Sequence, residues 1–92
     1  MAIQHDSNGG RFFTTVEGLD AELSYRRHGQ VLDFYRVYVP EPLRKRGLAG
    51  QVTIAAFDFA RANGFKVTPS CPFVSGQFLP RFPQYQDLIV QA

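Results

Sequence analysis

The residues best suited to chemistry form one uninterrupted stretch, Arg44-Lys45-Arg46-Gly47-Leu48-Ala49-Gly50, between a proline-broken strand and a helix. A helix N-terminus presents unpaired N–H groups and the positive end of the macrodipole, and small residues let a ligand approach the backbone closely. Three consecutive basic residues add charge, so the combination suits a pyrophosphate. The same residues also suit a solvated basic loop in which Gly47 serves only a turn. Nucleoside triphosphate and dinucleotide loops fit poorly, because neither G-x-x-x-x-G-K-S/T nor a strand followed by G-x-G-x-x-G occurs. Cys71 is the single cysteine, and it has two readings: a nucleophile, which needs a depressed thiol pKa, or a small packed residue, the commoner role. His5 and His28, with one distant cysteine, have no metal-ligand spacing, and no metal is expected.

These residues depend on the elements around them. Residues 1–10 are polar and end in Asn8-Gly9-Gly10, which predicts a frayed terminus outside the fold. Aromatic and β-branched residues predict a strand over 11–16, with a turn at Glu17-Gly18-Leu19-Asp20. Period-two alternation predicts a second strand over 21–26, and His28-Gly29-Gln30 a hairpin turn. The third strand, 31–39, alternates Val31, Asp33, Tyr35, Val37 and Val39 with Leu32, Phe34, Arg36 and Tyr38. Both faces are largely apolar, which predicts a central strand.

Pro40-Glu41-Pro42 ends that strand. Leu48, Val52, Ala55, Phe59 and Ala62 then fall on one helical stripe, and Asn63-Gly64 is a stop signal. Residues 65–68 predict a fourth strand, parallel to the third because a helix intervenes. A weak helix over 73–79 is expected to end at Pro80, leaving the tail loosely held.

Ninety-two residues with 45% hydrophobic content predict one domain over 1–92, with no room for a second core. The formal charge of +2 is too small for a dedicated nucleic-acid binder. The thirteen aromatic residues (nine Phe, four Tyr) fit a core better than a base-stacking platform. A lone cysteine favours a reducing compartment, so a cytoplasmic protein is expected, with no leader and no membrane span.

Arg44-x-x-Gly47-x-Ala49 resembles the Gln/Arg-x-x-Gly-x-Gly/Ala acetyl-coenzyme A signature of the GCN5-related N-acetyltransferases, at the strand-to-helix junction which that family uses. Val39 through Ala49, the helix to Asn63-Gly64, and the segment Lys66 to Val74 with Cys71-Pro72-Phe73-Val74 are similar to the small single-domain, YidJ-like branch. Phe82-Pro83-Gln84-Tyr85 resembles that branch's closing "HPEY". The resemblance spans roughly residues 11 to 85.

It implies a minimal α+β fold: a largely antiparallel three-stranded meander, a helix, a parallel fourth strand and a short C-terminal helix. It also implies acetyl-CoA as cosubstrate, in the gap where strands 31–39 and 65–68 splay apart. The pyrophosphate would lie on residues 46–50 with Arg44 and Lys45 nearby, the pantetheine arm along Val37 to Val39, and the thioester near Cys71. The acceptor would be an unidentified amine at an open site. Related sequences carry "HTEV" before the break, where this chain has Arg36 and Tyr38 in place of the His and Glu. A glutamate base therefore cannot be carried over. Tyr38 could relay a proton or orient the amine, but a phenol is a poor base at neutral pH. The tyrosine acid that larger relatives carry on the last helix has no clear counterpart, and Phe78 occupies that neighbourhood. The leading expectation is an N-acetyltransferase, and the rival is a non-catalytic CoA-binding module. A nucleic-acid binder using Arg36 and Arg44 to Arg46 is a distant third.

Overall fold

Glu17 and Gly18 both take positive φ, 54° and 77°, in a two-residue turn whose twist matches the strands on either side. That turn pairs β2 (Arg11–Val16) with β3 (Leu19–His28), and Gly29-Gln30 pairs β3 with β4 (Val31–Tyr38). Leu19 and Asp20, expected in the turn, therefore open β3. The computed structural model describes residues 2–90. Its sheet has five strands in chain order, because Gln4–Asp6 forms β1, antiparallel to β2. The expected frayed terminus over 1–10 is corrected for these three residues.

β1 is anchored by His5. Its ring stacks on Phe12 with centroids 4.0 Å apart, meets the Phe59 ring edge-on, and hydrogen-bonds the Tyr25 hydroxyl. Apolar neighbours explain why a three-residue edge strand holds.

One face of the sheet carries Phe12, Thr14, Ala21, Leu23, Tyr25, Leu32 and Phe34, all buried. Helix α1 (Leu48–Ala62) covers it, and the other face is open to solvent. The 31–39 strand is central as expected, paired by β3 on one edge and by Lys66–Thr68 on the other, although only one of its faces is covered. The alternation also changes phase: Phe34 pairs with Tyr25 and Arg36 with Ser24, so Tyr35 is an extra, bulged residue. Val37 consequently joins Leu32 and Phe34 on the covered face, while Arg36 and Tyr38 pair opposite Ser24 and Glu22 on the open one.

The helix has the expected bounds, but its buried centre is rotated from the expected stripe. Thr53, Ala56, Phe57 and Ala60 are inside and Ala62 is exposed. Thr53 sits in the core because its hydroxyl donates to the Ala49 carbonyl at 2.7 Å. Phe57 is central, with its ring 5.0 to 5.4 Å from those of Phe34, Phe78 and Tyr85.

β5 (Lys66–Thr68) runs parallel to β4 but pairs only with Val31 to Asp33. Pro69 has no amide hydrogen to continue the ladder. The Cys71 amide makes one further bond, to the Phe34 carbonyl at 2.9 Å. The chain then enters a helical run over 72–81 in which Val74–Phe78 forms a π turn and Leu79–Arg81 a closing α turn, α2. Pro80, expected to end this helix, lies inside it. The Leu79 amide reaches back five residues to the Val74 carbonyl, and this wider turn relieves the clash a proline makes in a regular helix.

The tail, expected to be loose to Ala92, is held as far as Val90, and residues 91–92 lie outside the described residues. A 3₁₀ segment, Pro83–Leu88, buries Tyr85 and Leu88, the Tyr85 hydroxyl donates to Asp58 at 2.7 Å, and the Val90 amide donates to the Val67 carbonyl. Burial and the Asp58 acceptor push the Tyr85 phenol up to about 12.

The packing of His5 predicts a pH dependence. Burial against the rings lowers its pKa below the free value of about 6.5, outweighing the opposing charge of Asp6. Neutral imidazole is therefore favoured in the fold, and this contribution is present above the free value and lost as pH falls through the folded one. An NMR titration should place His5 below an unfolded-peptide histidine, with amide protection in β1 weakening on the acid side. A midpoint at or above the peptide value would contradict this.

Candidate functional site

Loop 40–47 is clamped at both ends. Leu43 and Leu48 are buried with Ala21 in a small apolar cluster beside Val16 and Val39, separate from the main core. A short 3₁₀ turn, Glu41–Leu43, brings the chain down to this cluster. Between the two anchors Lys45 and Gly47 take positive φ, 68° and 77°, so the loop reverses and delivers Gly47 as the N-cap of α1. A left-handed N-cap with no side chain leaves the helix start uncapped, and the first turn carries no acidic residue. The first intrahelical bond is from the Gln51 amide to the Gly47 carbonyl, so the amides of Leu48, Ala49 and Gly50 have no partner within the helix.

Two adjoining cavities open around this helix start. The first, about 500 Å³, lies between the end of β4, the loop and the π turn. It is lined by Val37, Tyr38, Val39, Leu43, Arg44, Lys45, Gly47, Leu48 and Ala49, together with Phe73 and Gln77. The second, about 590 Å³, lies between the first turns of α1 and residues 73–82, and shares Gly47, Ala49, Phe73 and Gln77 with the first. Together they form a path from the end of β4, across the N-terminus of α1, to Arg81 and Phe82.

Most of the expected binding residues meet here. Val37, Val39, Arg44, Lys45, Gly47, Leu48 and Ala49 line the first cavity, and Gly50 lines the second. Arg44 is held by the segment just past β4, its Nε donating to the Val39 carbonyl at 2.9 Å. Arg46 lines neither cavity: it pairs with Glu17 at 2.9 Å and donates to the Pro42 carbonyl. The basic triplet is therefore split, two residues toward the cavity and one fastening the loop to the β2–β3 turn.

Tyr38 lines the first cavity and is 42% exposed. Cys71 is not brought in. Its side chain is packed in the main core, and its amide is bound to Phe34. Phe78, 1% exposed, contributes to the wall of the second cavity and supplies no acid. The residues that sequence missed are Phe73, Gly76, Gln77, Arg81 and Phe82. They sit on a π turn, whose hydrogen-bond shift no apolar period reveals. The one available signal was Gly76 beside Pro80 in an otherwise helical pattern.

Among the described residues lining the two cavities, no Asp, Glu or His is present. The arrangement offers backbone amides, cations and one phenol. It can hold an anion and orient a neutral chain along the free end of β4, where pairing with β5 has already stopped.

The fold is shared with a GCN5-like protein of Staphylococcus aureus whose structure was solved in solution by NMR. The match has a TM-score of 0.74 at 23% identity and covers 99% of this chain and 89% of that one. Residues 11–88 match the family model of the GCN5-related N-acetyl-transferases. The chain belongs to that family.

Gly50 separates folding from binding. A Cβ built there meets nothing within 4 Å, so Gly50→Ala should fold and gain about 0.5–1 kcal/mol from helix propensity. The same methyl projects where an anion would approach the amides. Calorimetric titration with acetyl-CoA should show weaker binding than wild type despite a raised melting temperature. Unchanged affinity would remove Gly50 from the binding surface.

Proposed function

We propose that the protein is an acetyl-CoA-dependent N-acetyltransferase whose whole chain acts as one minimal domain of the small YidJ-like branch. We assign it to the cytoplasm on the strength of its lone cysteine. Among the described residues, no helix is long and apolar enough to cross a membrane. The observation that carries the activity is the uncapped start of α1, with three amides free of helical partners and Arg44 and Lys45 beside them, in a chain of this family.

The residues fit the cosubstrate in sign and shape. The amides of Leu48, Ala49 and Gly50 suit a diphosphate, and the positive end of α1 adds to their attraction. Val37 to Val39 provide extended backbone for the amide groups of the pantetheine arm. Bound acetyl-CoA supplies an activated acetyl group for transfer from sulfur to an amine nitrogen. The chain's contribution is orientation: it fixes the arm along β4 and leaves the acceptor side open beside Tyr38. That openness suits a large or extended amine. Tyr38 is the one side chain lining the cavities, other than the cations, that carries an exchangeable proton on a titratable group, and we assign it to orient the amine or pass its proton to water.

Cys71 is assigned a packing role, supported by its burial away from both cavities. Cys71→Ala should retain turnover while losing about 1 kcal/mol of stability, as one buried group is removed. A folded variant without turnover would restore the acyl-cysteine route.

Calorimetry with acetyl-CoA tests the cosubstrate: binding is expected below about 1 mM, the upper range of ordinary enzyme affinities. No heat at that concentration would overturn the reading. The absence of carboxylate and imidazole from the cavity walls favours a second reading, a CoA-binding module without turnover. Acetyl-CoA binding with no release of free CoA thiol across small amines, polyamines and lysine peptides would support that module.

A further inference from the structure

Tyr38 stands on the open face of the sheet and is exposed. A side chain so placed changes rotamer freely unless its neighbours on that face hold it. The register puts Phe13, Glu22 and Tyr38 in one row across β2, β3 and β4, and Arg11, Ser24 and Arg36 in the row beside it. The guanidinium carbon of Arg36 lies 4.8 Å from the Tyr38 ring centroid, and that of Arg11 lies 3.9 Å from the Phe13 centroid. Both arginines reach the same carboxylate between them. Glu22 Oε2 accepts from Arg36 at 2.7 Å and Oε1 accepts from Arg11 at 2.8 Å.

An isolated exposed ion pair contributes little, because two long side chains must be ordered to form it. Here one carboxylate serves two cations, each of which also lies on a ring. Glu22 is the least exposed charged group of the set, at 20%. The two arms differ in what else supports them. Arg11 also donates to Asp20 at 3.1 Å, and Asp20 accepts from the Thr15 hydroxyl at 2.6 Å. Among the described residues Arg36 has no hydrogen-bond acceptor other than Glu22. Loss of the carboxylate therefore frees Arg36, and with it the Tyr38 ring, while Arg11 stays anchored on Asp20.

We infer that Glu22 is a positioning residue for acetyl transfer: through Arg36 it fixes the Tyr38 ring against the first cavity, which that ring lines. This rests on the acetyltransferase reading and on the place of Tyr38 within it. Glu22 lies outside the linings of both cavities, so it acts through Arg36 and not on the acceptor itself.

Two measurements on one set of variants test this. In NMR spectra of the wild type, side-chain protons of Arg36 and Arg11 should both be displaced upfield, because each guanidinium lies over an aromatic ring. Glu22→Gln should return those of Arg36 to free-arginine positions and leave those of Arg11 displaced. In kinetics with the best acceptor among small amines, polyamines and lysine peptides, Tyr38→Phe should lower kcat by about a hundredfold, the lower end of what a positioned proton-transfer group contributes. Glu22→Gln should lower kcat by about tenfold, since the phenol is misplaced and not removed, with calorimetric affinity for acetyl-CoA unchanged. Glu22→Asp, which keeps the charge, should recover part of that loss. Added to Tyr38→Phe, Glu22→Gln should cost nothing further, because it acts through the missing hydroxyl. A merely structural role would instead multiply the two losses. Multiplying losses, full turnover by Tyr38→Phe, or an Arg36 displacement that is absent from wild type or survives Glu22→Gln overturns the inference and leaves the acetyltransferase reading standing. Wild type that releases no CoA thiol with any acceptor overturns both.

Discussion

β4 runs for eight residues and β5 for three, and they pair only over Val31 to Asp33. A parallel ladder in a small sheet would ordinarily continue to bury its polar backbone edge. Pro69 stops it by lacking a donor, and the π turn that follows carries the chain away. Val37 to Val39 are left beside a cavity in place of a neighbouring strand. The bulge at Tyr35 resets the phase, so that Val37 faces the covered side and Tyr38 the open side. Had the ladder run on to Tyr38, there would be no gap between β4, α1 and residues 73–82. The cavities, the placing of the loop and the accessibility of β4 all follow from that early parting.

Loop 40–47 has a second physical requirement. Helix amides can attract an anion only if they are held in place, and capping side chains would compete for them. Here position comes from apolar anchors instead. Leu43 and Leu48 are buried against Ala21, and Arg46 ties the loop to Glu17. The hydrogen-bonding groups are thereby fixed without being consumed.

Local chemistry made much of this legible in the sequence. The strands 11–16 and 31–39, the helix bounds and the glycine turn before the helix could be read because periodicity, glycine and proline act over a few neighbours. The errors share a cause in tertiary context. Gln4–Asp6 looked too polar to fold, yet His5 finds three aromatic rings that come from distant positions. Arg46 looked equivalent to Arg44 and Lys45, and only the fold brings Glu17 within 2.9 Å of it. Pro80 looked like a terminator because the π turn that accommodates it has no sequence period. Cys71 looked adjacent to chemistry along the chain, whereas the bond from its amide to Phe34 turns it into the core.

Because the sheet is covered on one face only, α1 is at once the lid of the main core and the wall of both cavities. Folding and occupancy would therefore be linked equilibria: excursions that lift α1 from Phe34 and Leu23 also disperse the unpartnered amides at its start. A ligand held there draws the population away from such excursions, adding about 2.7 kcal/mol of apparent stability at a hundred times its dissociation constant. In a chain of 92 residues, whose own margin is of the order of 5–10 kcal/mol, the occupied and empty proteins would differ substantially in lifetime against proteolysis. Supply of the ligand would thereby set how long each molecule persists.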